Sequence, residues 1–289
     1  MHLLADPRAM RAWSRAERAR GRRIGFVPTM GFLHEGHLRL VDRARERADR
    51  VVLSVFVNPL QFGAGEDFAT YPRDVERDKQ LAAGRGVDCL FLPDATAMYP
   101  ADPLVRLHPG PMAEGLEGAA RPGHFAGVLT VVAKLFHLVE PDIAVFGRKD
   151  YQQAMLVRRM AEDLNFGLEV DVAPTVRELD GLALSSRNAY LQGDERRAAL
   201  ALSRALRAVE QAWRGGEADA GPLARRGLDV LRAPGVAPEY LALVDDRMRP
   251  VARVDARTVV LVAARIGKTR LIDNVVLGEG IAGDIAVRA

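Results

Sequence analysis

Short apolar runs alternating with amphipathic helical stretches predict an α/β chain, with a Rossmann-like, doubly wound parallel sheet over residues 1–175 and a smaller α+β domain over 176–289. Three observations carry this. The apolar runs are short, rich in β-branched residues and ended by Pro, Asn or charge. The stretches between them keep a helical period. After Leu191 the order changes to two long helical patterns followed by three short strands.

Taken in order, residues 8–23 are the densest basic segment and read as a solvated helix face around Met10, Trp13 and Ala16. Residues 24–27 suit a buried strand, which Pro28 is expected to end. A helix then starts near His34 to His37, because Leu38, Val41, Ala44 and Ala48 recur at helical spacing with Arg39, Asp42, Arg43, Glu46 and Arg47 between them. Residues 51–57 and 89–92 are further strands, closed by Asn58-Pro59 and Pro93, with a helix over 75–83 between them. Gly123 leads into a helix striped by Val128, Val131, Leu135 and Leu138, and residues 143–146 and 168–172 complete the parallel set. Beyond them, Leu202, Leu206, Val209 and Trp213 mark one long helix and Pro222 starts another. Strands follow at 240–244, 258–262 and 271–276, and this small domain is expected to cover the site.

Composition excludes several classes. With 289 residues, 48% of them hydrophobic, the chain can bury a substantial core. Its longest apolar run, 128–139, is broken by Lys134 and His137 and is too short to span a bilayer. Net charge is only +3 and no basic surface is concentrated, so nucleic acid is not an expected partner. The single Cys89 lies inside an apolar run and reads as a small buried hydrophobe. With no signal peptide at the start, the cytoplasm is the expected compartment.

Ligands of a doubly wound sheet gather beyond the carboxyl ends of its strands. The residues there are Thr29 to His37 after the first strand, Asn58, Gln61 and Phe62 after the second, and Gly147 to Gln153 after the fourth. A loop through Gly31 into a helix whose first turn carries His34 and His37 offers unpaired N–H groups and a positive dipole end, which suit phosphate. Taken alone, the pair reads more readily as two surface histidines. A zinc pair is weaker still, since the spacing is three and not the four of H-E-x-x-H.

Five strings then occur in a fixed order: VPTMGFLHEGHLRL at 27–40, SVFVNPLQFG at 54–63 with EDFATYPRD after it, LEGAARPGHFAGVLTVV at 116–132, FGRKDYQQ at 146–153, and PTVRELDGLALSSRNAYL at 174–191. Together they resemble the pantothenate synthetase family of the nucleotidyltransferase superfamily. That resemblance implies a ligase in which ATP and pantoate give pantoyl adenylate and pyrophosphate, and β-alanine then displaces AMP. It places Met30, Gly31, His34, Gly36, His37, Gly147, Lys149, Asp150, Val176, Leu184, Ser185, Ser186 and Arg187 around ATP. Among these, His34, His37, Lys149, Ser185, Ser186 and Arg187 would meet the polyphosphate. Gln61 and Gln153 would hold pantoate, with Asn58 near the incoming amine.

Mg2+ is implied as the partner of ATP, with Asp78 as its candidate protein ligand; a plain acid on a helix surface is an equal reading of Asp78. A homodimer is implied as well. Arg148 stands where the family often has Glu, so its side chain is expected to point outward. Glu117, Arg121 and His124 fall at family positions and read equally as shaping the site or capping a helix. Two decoys fail. Gly267-Lys268-Thr269 lacks the first P-loop glycine, since Val262 occupies it, and too few residues follow Gly278, Gly280 and Gly283 for a dinucleotide-binding crossover.

Overall fold

The computed structural model describes residues 1–99 and 103–287. They form two compact units, one of Met1–Gly147 with Gln152–Ala173, the other of Arg148–Tyr151 with the chain from Pro174 onward.

Unit 1 runs β1 (His2–Leu4), α1 (Pro7–Ala19), β2 (Ile24–Thr29), α2 (Glu35–Arg45), β3 (Arg50–Val55), α3 (Val75–Gly84), β4 (Cys89–Phe91), α4 (Ala95–Met98), α5 (Glu117–Ala120), α6 (His124–Val139), β5 (Ile143–Gly147), α7 (Tyr151–Asp163) and β6 (Glu169–Ala173). The six strands pair in parallel in the order β1-β4-β3-β2-β5-β6. Both faces are covered, which explains the near-continuous apolar strands. On one face Val27, Leu53 and Val145 pack with Leu40, Val41 and Ala44 of α2. On the other, Phe26 and Phe146 each meet the ring of Phe136 on α6 edge-on, with centroids 6.4 Å apart. The succession β2, β3, β4 runs one way and β5, β6 the other, so the order reverses between β2 and β5, where a doubly wound sheet opens its ligand crevice.

Two differences from the sequence expectation have local causes. The strand does not stop at Pro28; it continues to Thr29, with Pro28 opposite Ser54. Ile24 presents its carbonyl to Asp142 and Thr29 presents its own to Phe56, so alternation turns Pro28 toward the β5 side. Pairing with β5 ends at Phe26, and the missing proline N–H forfeits no ladder bond. The edge strand β1 was not expected either, since three residues at the chain start carry no readable period.

Unit 2 contains β7 (Val176–Glu178), α8 (Gly193–Arg214), α9 (Ala220–Arg232), β8 (Pro238–Val244), β9 (Val259–Ile266), β10 (Thr269–Val276) and β11 (Ile285–Val287). An antiparallel sheet, β10-β9-β8, packs Val260, Val262 and Val275 against Leu202, Leu206 and Val209 of α8 and Leu223 and Leu231 of α9. A separate parallel pair joins β7 to β11. No described helix is long and apolar enough to cross a membrane. Cys89 is fully buried and its thiol is pushed up to about 12 by that burial, consistent with a packing role.

Candidate active site

The histidine string forms the start of α2. His34 is its N-cap: Nδ1 accepts from the Gly36 N–H at 3.1 Å, while the His34 N–H points at His37 Nδ1 at 3.4 Å, a reciprocal capping box built from imidazoles. The spacing of three that argues against zinc is thus the spacing a capping box needs. The two rings lie 4.0 Å apart, centroid to centroid. With both Nδ1 atoms accepting, the proton of each neutral ring sits on Nε2. Gly31 (φ 84) and Phe32 (φ 50) are consecutive left-handed residues just before this cap.

Asp78 is not the surface acid that one reading of the sequence allowed. It is 1% exposed, and its two oxygens accept the N–H groups of Phe32 and Leu33 at 2.8 and 2.7 Å. Burial raises its carboxyl above the usual range, while those two N–H bonds pull it back.

Beyond β3, Asn58 caps a 3-10 turn over Pro59–Gln61 through Leu60 N–H, with Pro59 in its first position. Its amide also donates to the Gly127 carbonyl at 3.1 Å and to Gln61 Oε1 at 3.2 Å, and its Oδ1 accepts from the Tyr99 hydroxyl at 2.9 Å. Asn58 is therefore fully engaged within the protein. Gln61 Nε2 reaches Met30 Sδ at 2.9 Å, which brings the adenylate-loop and pantoate candidates together. Gln61 is gripped from behind as well. His124 Nδ1 meets its carbonyl at 2.8 Å, Arg121 Nη1 meets His124 Nε2 at 2.9 Å, and Arg121 is paired with Glu66 through two bonds. Arg121 and His124 thus hold the Gln61 carbonyl, and neither side chain caps α6. The partly exposed Gln153 lies in the first turn of α7, beside the buried Gln152, whose amide ties Glu117 N–H to the carbonyls of Met112 and Gly115.

In unit 2, Lys149 and Asp150 sit on a 3-10 turn, with Nζ to carboxylate at 3.9 Å. Arg148 does not point outward. It is 5% exposed and paired with Glu279 and Asp284, and Asp284 also binds Arg177, itself bonded to Asp273 by two contacts of 2.6 and 2.8 Å. A guanidinium suits this position because two carboxylates meet it there. Asn274 donates its amide to the carbonyls of both Arg148 and Lys149 at 2.9 Å. Val176 lies on β7, its carbonyl taken by the Leu184 N–H, which returns the chain alongside. Ser185 caps a 3-10 turn over Ser186–Tyr190 and accepts from Arg187 N–H at 3.2 Å. Gly147 ends β5 in unit 1 and has open space where a Cβ would stand.

Sequence reasoning missed Tyr99, Gln152 and Asn274 as holders of site residues. For Asn274 there was a signal: two polar residues, Asp273 and Asn274, split the apolar pairs Leu271-Ile272 and Val275-Val276 of one strand.

Comparison with known proteins bears on the family and the fold. The family model described as pantoate-beta-alanine ligase matches residues 2–276. A relative described as a pantothenate synthetase, from Heliobacterium modesticaldum, is 54% identical over 279 residues, covering 96% of this chain and 99% of that protein. The crystal structure of pantothenate synthetase from Thermus thermophilus superposes with a TM-score of 0.90 at 48% identity, covering 96% of this chain and 99% of that one. The pantoate-beta-alanine ligase from Francisella tularensis, solved with beta-gamma ATP and beta-alanine, gives 0.81 at 34% identity, covering 97% of this chain and 99% of that one. With parallel sheet, capped histidine pair and held glutamine already in place, these matches show that the chain belongs to the pantoate-beta-alanine ligase family and is a ligase.

Proposed function

We propose that this ligase joins pantoate to β-alanine in two steps: the pantoate carboxylate attacks the α-phosphorus of ATP, releasing pyrophosphate, and the β-alanine amine then displaces AMP from the pantoyl adenylate. Adenylation needs no covalent enzyme intermediate, only alignment and neutralisation of departing charge. The observation that carries the reading is the cap that fixes His34 and His37 at a helix N-terminus beyond β2. There they stabilise charge on pyrophosphate; we assign His37 this role and not that of proton donor. Lys149, Ser185, Ser186 and Arg187 serve the same polyphosphate, while Gln61 and Gln153 hold pantoate and Asn58 supports Gln61. Met30, Gly31, Gly36, Gly147, Asp150, Val176 and Leu184 line ATP.

Mg2+ enters with ATP as part of the substrate, coordinated by phosphate oxygens and water. Among the described residues no group of three or more His, Cys, Asp or Glu offers it a protein cage. Asp78 fits the metal poorly, because it is 1% exposed and each of its oxygens is already turned to a backbone N–H.

The test follows pyrophosphate, AMP and pantothenate separately, with pantoate alone and then with β-alanine. Pyrophosphate and a bound adenylate are expected first, with AMP and pantothenate only after the amine. Folded protein that binds ATP yet forms no adenylate from pantoate would have another acceptor. His37→Ala is expected to slow adenylate formation by about 10²-fold. The enzyme is read as a cytoplasmic homodimer, and light scattering on the same preparation should give twice the chain mass of 31.6 kDa.

A further inference from the structure

We infer that the first turn of α3 is a positioning device for the histidines: Asp78 and Arg77 clamp the corner at residues 31–33, and Asp78 serves that corner instead of a metal. The inference rests on the reading that His34 and His37 meet the polyphosphate.

Four observations within unit 1 converge. The corner needs two successive left-handed residues, and Phe32 is one that a side chain rarely permits. Asp78 Oδ2 accepts from Phe32 N–H and Oδ1 from Leu33 N–H, one oxygen to each. Arg77 Nη1 donates to the Leu33 carbonyl at 2.8 Å, and its guanidinium lies 5.5 Å from the centre of the Phe32 ring. At Gly31 a Cβ would lie 2.9 Å from Asp78 Oδ2 and 2.7 Å from Val55 Cγ1, so the corner is seated directly on the carboxylate. The clamp is itself anchored. Asp74 caps α3 by accepting from Arg77 N–H, and Asp78 N–H donates to the Asp74 carbonyl. Leu33 is fully buried, and the next residue is the His34 cap. A rotation at Phe32 would therefore carry both imidazoles with it. To ligate a metal through its remaining lone pairs, Asp78, which is 1% exposed, would need an ion and its other ligands seated inside the packed corner that its two N–H bonds already hold.

Asp78→Asn tests this in the full-length enzyme, since the isosteric amide must present an N–H to one of those donors. Three readouts are taken: pyrophosphate release from ATP and pantoate across a Mg2+ titration, amide exchange of Phe32 and Leu33 by NMR, and the Asp78→Asn/His37→Ala double variant. The clamp predicts turnover reduced about tenfold or more, as for misplaced charge-stabilising groups. Half-saturating Mg2+ should stay unchanged, exchange at one or both amides should quicken, and the double variant should be no slower than His37→Ala alone. A rise in half-saturating Mg2+ with activity restored by excess would make Asp78 a metal ligand and overturn the proposal. Exchange as slow as in the wild type would overturn it too, whatever the activity. If the wild type releases no pyrophosphate with pantoate, the reaction assignment fails instead, and the exchange rates still decide the clamp. Should Asp78→Ala not fold, the Asn variant carries the test.

Discussion

Buried beside Gln61, His124 donates from Nδ1 to the Gln61 carbonyl and accepts at Nε2 from Arg121, an arrangement only a neutral imidazole satisfies. Burial pushes it from 6.5 down to about 4, and the Arg121 charge adds to the effect. The unfolded chain therefore takes up a proton near pH 6.5 that the folded protein refuses until about 4. Stability contributed at this position is complete above pH 6.5 and falls as pH drops through that window, by at most about 3 kcal/mol. Denaturant unfolding of the wild type and His124→Gln at several pH values checks this: the difference between them should change between pH 4 and 6.5 and level off above it. A constant difference would rule the account out. At this scale, legibility follows distance along the chain. The capped histidines depend on partners two or three residues away, and their string announced them. Arg148 depends on carboxylates 131 and 136 residues away, so no local pattern could show that it turns inward.

Gly127 shows what one element demands of another. A Cβ there would lie 2.1 Å from the Leu60 carbonyl oxygen and 2.6 Å from the Gln61 nitrogen, so α6 meets the Pro59–Gln61 turn backbone to backbone. Gly127→Ala must push that turn away, at about 1–3 kcal/mol for overpacking. It moves Gln61 with it, so we expect the KM for pantoate to rise about tenfold, roughly one hydrogen bond's worth, with the KM for ATP little changed. Loss of stability with an unaltered pantoate KM would mean that Gln61 does not depend on this contact. The long elements were legible because α2, α6 and α8 keep a helical stripe over several turns. The three-residue strands β1, β7 and β11 were not, because, unlike the equally short but fully apolar and buried β4, they have partly exposed residues and their pairing is decided by the neighbouring strand.

At the scale of the molecule, the candidate groups are divided between the units: unit 1 supplies the histidines and glutamines, unit 2 supplies Lys149, Ser185, Ser186 and Arg187. The chain leaves unit 1 after Gly147, returns at Gln152 and departs again after Ala173. Four residues therefore belong to a body that the rest of their neighbourhood in sequence does not. Severing the chain between Ala173 and Pro174 would strand Arg148 on one piece and Glu279 and Asp284 on the other, parting a buried guanidinium from both its carboxylates, although Asp284 would keep Arg177. Asn274 would likewise lose the two carbonyls it bridges. Neither piece is a portable module, despite a boundary that looks clean. Produced separately, each is expected to melt without a cooperative calorimetric transition, and mixing them should restore one by fragment complementation.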